Sequence, residues 1–288
     1  MYCMIADWHS LTTQFSDPSQ IAQQSIEITK DYIACGIDPK RSHIFLQSDV
    51  KQHAELYLIL SMVTPLGWLE RVPTYKEKRD QLQSESVPFG LLGYPVLQAA
   101  DILLYRPFGV PVGKDQAPHL EISREIGRRF NNLYGETFPE FVNIIGEVAV
   151  LPGIDMRKMS KSYDNGIYIA ESPDETATKI KSAFTTPSKI KKTDPGIPEG
   201  CAVCQYLKIY SPNWTEQWQE DRSGLRGCMQ NKQECVECVN EFLRPFREKR
   251  TQLDDDYIQQ VLKVGAESAT EVAEETMKLV RKAMNFSS

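Results

Sequence analysis

No stretch of about 18 apolar residues occurs anywhere in the 288-residue chain, which excludes a transmembrane helix. The opening MYCMIADWHSL has an apolar start but no basic region ahead of it, and Asp7 follows almost at once. It does not read as a secretory signal, and the expected location is the cytoplasm. Cations are outnumbered, 33 Lys and Arg against 39 Asp and Glu, so the chain carries no bulk cationic coat for nucleic acid. A local basic footprint is not excluded, because steering depends on where charge sits. Histidine is scarce: His9, His43, His53 and His119 are the four. Internal repeats and low-complexity segments are absent.

What is present is the composition of an ordinary globular chain, 41% hydrophobic and 25% charged, enough for one large or two medium domains. The first half alternates strand and helix signals. YCMIA (2–6), HIFLQS (43–48) and VPVGKDQ (110–116) read as strands. The stretches 19–35, 54–69 and HLEISREIGRRFNNLYG have helical spacing. Strand, helix, strand, helix predicts a parallel α/β sheet of the Rossmann type, with ligands at the carboxyl ends of the strands. Asp7, His9, Gly113, Asp115 and Gln116 fall at or just after those ends. After about residue 170 the strand signals fade. SPDETATKIKSAF predicts a helix with Ser172 or Asp174 near its N-cap, 185–200 reads as an ordered loop, and the chain is helical from Cys235 onward. The predicted division is 1–170, α/β, and 171–288, all helical.

Three features carry chemistry. RKMSKSYDN (157–165) places Arg157, Lys158 and Lys161 within five residues, beside two serine hydroxyls. Two lysines three apart can both point at one polyanion, each with three donors, which suits a nucleoside triphosphate. Tyr94, Gln98 and Asp101 stand at i, i+4 and i+7 and share one helix face. Five of the seven cysteines crowd into 201–238, as C-x2-C at 201–204, C-x6-C at 228–235 and C-x2-C at 235–238. In a reducing compartment these are not disulfides, and four thiolates of such a set can hold zinc or an iron–sulfur cluster.

KMSKS is the signature loop of class I aminoacyl-tRNA synthetases. LLGYPVLQAADILLY (91–105), VPVGKDQAPHLEISREIGRRFN (110–131), LPGIDMRKMSKSYDNGI (151–167), FTTPSKIKKTDPGIPEGC (184–201) and the opening MYCMIADWHSL together resemble tryptophanyl-tRNA synthetases. The resemblance runs through nearly the whole chain in the expected order. It implies a Rossmann-type catalytic domain over 1–170 and an anticodon-binding domain over 171–288. The implied reaction is attack of the L-tryptophan carboxylate on the α-phosphorus of ATP, then transfer of the acyl group to tRNA(Trp). Mg²⁺ would accompany ATP, and the enzyme would be a homodimer. Asp101 is implied as acceptor for the indole N–H. Tyr94, Gln98, His9, Val110, Val112 and Gln116 would complete the tryptophan pocket. Gly113, Asp115, Lys158, Met159, Ser160, Lys161 and Ser162 would hold ATP, with Lys158 and Lys161 catalytic. Lys76 and Lys78 lie near a lysine that the family uses on ATP phosphates. Some members carry a [4Fe–4S] cluster, and PEGCAV with CMQNKQECVEC matches that pattern. Cys201, Cys228, Cys235 and Cys238 are the implied ligands, with Cys204 either the spare or the first ligand in place of Cys201, and zinc is the alternative to the cluster.

One family element has no counterpart in the sequence. None of the four histidines lies in a HIGH-type ATP motif, and the chain starts where the family's second strand starts. The expectation is a Rossmann sheet without its first strand and helix, roughly thirty residues on the usual size of a βα unit. Adenylate formation by these residues alone would then be impaired, and a non-catalytic paralogue that binds tryptophan or tRNA is the rival reading.

Overall fold

The computed structural model describes residues 1–72, 75–76, 88–146, 151–159, 163–186 and 189–286. By its contacts the chain forms two compact units, Met1–Val148 with Asp254–Ser288, and Ala149–Leu253.

In the first unit β1 (Tyr2–Ile5) leads through α1 (Asp7–Gln14) and α2 (Ile21–Ala34) to β2 (His43–Leu46). The strands pair in parallel, Tyr2 opposite His43 and Ile5 opposite Leu46, and the helices supply the crossover a parallel pair requires. The apolar stretch expected as one helix is broken. α3 (Gln52–Val63) stops where Thr64 turns extended ahead of Pro65, and α4 (Leu66–Leu69) restarts behind it. α5 (Phe89–Leu103), β3 (Gly109–Val112), α6 (Ala117–Tyr134) and β4 (Val142–Ile145) follow. β3 and β4 form a second parallel pair.

The α/β reading holds, with a correction. Among the described residues the strands form two separate two-stranded sheets rather than one. The third strand ends at Val112, and Lys114–Gln116 is a tight 3₁₀ turn. β4 is a strand the sequence reading lacked.

The last helix, α7 (Asp255–Ala283), joins this unit and not the helical one predicted to include it. Its stripe of Ala266, Ala269, Ala273, Met277 and Val280 shares a core with Phe45, Leu56, Leu60 and Phe130. Gly265 makes the fit possible: a Cβ there would lie 1.9 Å from the Ile44 carbonyl oxygen. Each fully buried Leu, Phe, Met or Val side chain of this core contributes about 1.5–3 kcal/mol.

The second unit begins at Ala149, not at 171. It holds α8 (Pro173–Ser182), α9 (Ala202–Tyr210), α10 (Trp214–Arg222) and α11 (Cys228–Thr251). Ser172 is the N-cap of α8, in a reciprocal capping box with Glu175. Leu151, Ile154 and Met159 pack on the core formed by Ile180, Tyr206, Leu207, Val236 and Val239, so the segment before 170 belongs here. No described helix is long and apolar enough to cross a membrane.

Candidate active site

Asp101 sits in the last turn of α5 and is 9% exposed. A buried carboxylate is costly unless its oxygens are hydrogen-bonded, and here they are. His53 Nδ1, from α3, is 2.6 Å from Oδ1, and His9 Nε2, from α1, is 2.8 Å from Oδ2. Gln47 Nε2, in the turn after β2, donates to Oδ1 at 2.8 Å and to Oδ2 at 3.0 Å. The Gln47 amide is itself oriented, because its Oε1 accepts from the His9 backbone N–H at 3.4 Å. His53 Nε2 lies 2.8 Å from the Tyr105 hydroxyl. Burial alone would push the Asp101 carboxyl up. The hydrogen bonds from His53 and His9 outweigh it and hold the group below the usual carboxylate range. The result is an anionic acceptor fixed where β1, β2, α1, α3 and α5 meet.

The other expected pocket residues are placed as follows. Tyr94 and Gln98 share the α5 face with Asp101 and are half-buried. The Tyr94 hydroxyl is 3.4 Å from His119 Nε2, and its ring meets that of His9 edge-on at 6.4 Å. Val110 and Val112 are half-buried against the core while Pro111 between them is exposed. Gly113 has φ −69°, a conformation any residue adopts, and is exposed. Gln116 closes the turn and precedes α6, and the Asp115 side chain lies outside the described residues. Lys76 is exposed, and Lys78 lies outside the described residues.

The KMSKS segment belongs to the second unit, and its base is tightly tied. Gly153 N–H donates to Arg157 O at 2.7 Å, and Pro152 and Lys158 form an antiparallel bridge. Asn165, buried, donates to Asp155 Oδ1 at 2.8 Å and to Lys158 O at 3.1 Å. Arg157 is committed to Asp155 at 2.6 Å and to the face of Tyr163 at 4.3 Å, so of the three cations it serves the loop itself. Met159, expected at ATP, packs on the core. Lys158 is exposed and makes no ion pair with a described residue. Ser160, Lys161 and Ser162 lie outside the described residues.

The cysteines do not assemble as expected. Among the described residues no group of three or more Cys, His, Asp or Glu is placed to hold a metal ion. Cys201 and Cys228 line a void of about 10 Å³ with Lys189, Asp221 and Asn231, room for one water at most. Cys238 lines a different cavity with Tyr210 and Phe242, and Cys235 is fully buried. The residues as placed fit neither [4Fe–4S] nor zinc.

Gln47, His53 and Tyr105 are the site residues the sequence reading missed. Gln47 ends a predicted strand, and His53 is one of only four histidines. Those positions were signals; their convergence on Asp101 was not legible.

The family described as tRNA synthetases class I (W and Y) matches residues 1–244. The chain is 43% identical to the tryptophan–tRNA ligase of Thermotoga maritima over 291 residues, covering 99% of this chain and 89% of that protein. It is 37% identical to that of Aquifex aeolicus over 362 residues, covering 99% and 91%. Its fold superposes on tryptophanyl-tRNA synthetase from Campylobacter jejuni, complexed with ADP and tryptophan, with a TM-score of 0.87 at 36% identity, covering 98% of this chain and 89% of that one. With a buried, ionised Asp101 on the helix face where the sequence predicted an indole acceptor, and with these matches spanning nearly its whole length, the chain belongs to the tryptophanyl-tRNA synthetase family of class I.

Proposed function

We propose that this chain is a tryptophan–tRNA ligase that activates L-tryptophan with ATP and transfers it to tRNA(Trp). The observation that carries the reading is Asp101: a carboxylate acceptor buried on the α5 face that also bears Tyr94 and Gln98. An indole N–H buried without an acceptor costs about 1–3 kcal/mol, so a placed acceptor selects tryptophan over an apolar ring. The donor it displaces or joins is His9, whose side chain is 20% exposed, whereas Gln47 and His53 are sealed. Tyr94, Gln98, Val110, Val112 and Gln116 form the remaining wall.

ATP phosphates are assigned to Lys158 and Lys161, with Ser160 and Ser162 as neutral donors and Gly113 and Asp115 on the nucleoside. Met159 anchors the loop. Mg²⁺ enters with ATP, held largely by phosphate and water oxygens. The protein forms no covalent intermediate. It orients the tryptophan carboxylate toward the α-phosphorus and stabilises the charge that builds there. The enzyme works as a homodimer, a reading supported by exposed Leu58 and Met62 on α3 and exposed Phe89 on α5.

A second reading is a protein that binds tryptophan or tRNA without activating the amino acid. Amino-acid-dependent ATP–pyrophosphate exchange separates the two. Exchange with tryptophan and not with tyrosine supports the ligase. Tryptophan binding without exchange supports the second reading, and exchange with tyrosine overturns both.

A further inference from the structure

His53 is held on both ring nitrogens, by Asp101 on one side and Tyr105 on the other. Its ring is completely buried, with Nδ1 2.6 Å from Asp101 Oδ1 and Nε2 2.8 Å from the Tyr105 hydroxyl. A carboxylate only accepts, so Nδ1 carries the proton of the first bond. Tyr105 is pushed well above the usual phenol range, by burial first and by the Asp101 charge second, so it keeps its proton, and its hydroxyl pairs with Nε2. Tyr105 is fixed in turn by stacking on Tyr2, ring centroids 4.6 Å apart and planes 22° apart.

The two carboxylate oxygens are therefore unequal. Oδ1 receives His53 and Gln47, both inaccessible to solvent. Oδ2 receives His9, the one donor at this carboxylate that reaches solvent, and the longer arm of Gln47. We propose that His53, clamped by Tyr105, is a positioning residue that fixes the Asp101 carboxylate so that Oδ2 is the oxygen presented to the indole N–H of the substrate. The proposal rests on the tryptophan reading above and adds a pair of residues, His53 and Tyr105, that never touch the ligand yet set its specificity.

The test titrates L-tryptophan calorimetrically, in parallel with the analogue whose indole nitrogen is replaced by sulfur and which has no N–H to donate. Wild type, His53→Leu, His53→Asn and Tyr105→Phe are compared. Misaligning one charged hydrogen bond is expected to weaken tryptophan binding about 10- to 100-fold in His53→Leu, and to leave the sulfur analogue within about threefold. His53→Asn retains an N–H near the Nδ1 position and restores most of the tryptophan affinity. Tyr105→Phe frees the His53 ring and costs about 3- to 10-fold, again for tryptophan only. Equal losses for both ligands would mean a merely structural role and overturn the proposal, as would unchanged tryptophan affinity. Should His53→Leu fail to fold, His53→Asn and Tyr105→Phe decide by the same two-ligand comparison. A wild-type protein that ignores tryptophan altogether would instead overturn the reading on which the proposal stands.

Discussion

Asp101 and Asp221 are both buried carboxylates, 9% and 3% exposed, and each anchors the polar network of its own unit. They differ in what compensates them. Asp221 is matched by a cation: Lys189 Nζ lies 2.8 Å from its Oδ1 and 3.0 Å from its carbonyl oxygen. Asn231 donates to the same Oδ1 at 2.9 Å, and Gly196 N–H donates to the carbonyl at 2.8 Å. Every one of those donors is sealed. Asp101 has only imidazole and amide donors, and one of them, His9, reaches solvent. A carboxylate neutralised by lysine inside a closed network is a strut. A carboxylate held by exchangeable hydrogen-bond donors keeps its acceptor strength for something that arrives. Burial does not distinguish the two; the identity and accessibility of the donors does.

That difference can be broken from either side. The largest expected effect is Lys189→Met. It leaves Asp221 buried without its cation and should cost about 3–5 kcal/mol in urea unfolding, with the tryptophan affinity of the folded protein unchanged. Asp101→Asn should do the reverse. Tryptophan affinity by calorimetry is expected to fall about 100-fold, since one acceptor becomes a donor, with a smaller loss of stability than Lys189→Met. Asn231→Ala removes one neutral donor from Asp221 and should cost about 1–3 kcal/mol in the same unfolding experiment, again without touching tryptophan binding.

The smallest effect is on acid stability. The folded-state pKa of Asp101 lies below the ordinary value of about 3.9. Its contribution is therefore complete above that pH and drains away as pH falls through the lower folded value. Urea melts at about pH 5 and about pH 2 should show Asp101→Asn losing less stability on acidification than wild type. A larger loss in the variant would put the Asp101 shift in the wrong direction.

The parts of this molecule that were legible from sequence are those written in local spacing. Tyr94, Gln98 and Asp101 share a face because helical periodicity puts them there, and Ser172 caps a helix because Glu175 follows three residues on. That the chain ends in helix was equally plain, but helical spacing does not say what the helix packs against. Its partner, β2, lies some 200 residues earlier and was set by the fit of Gly265 to the Ile44 carbonyl. The same limit hid Gln47 and His53, which meet Asp101 across 54 and 48 residues. The cysteines fail for a related reason. Ligand spacing along a chain does not state which way each sulfur points. Within α11, Cys235 is fully buried while Cys238, three residues on, lines another cavity.

The central claim is that Asp101 is the acceptor that makes this a tryptophan site, and the most direct test is calorimetric titration of the wild-type chain and Asp101→Asn with L-tryptophan and L-tyrosine. The predicted result is tryptophan binding at least about 100-fold tighter than tyrosine in wild type, with that preference largely lost in Asp101→Asn. Equal affinity for the two amino acids in wild type, or an undiminished preference in the variant, would contradict it.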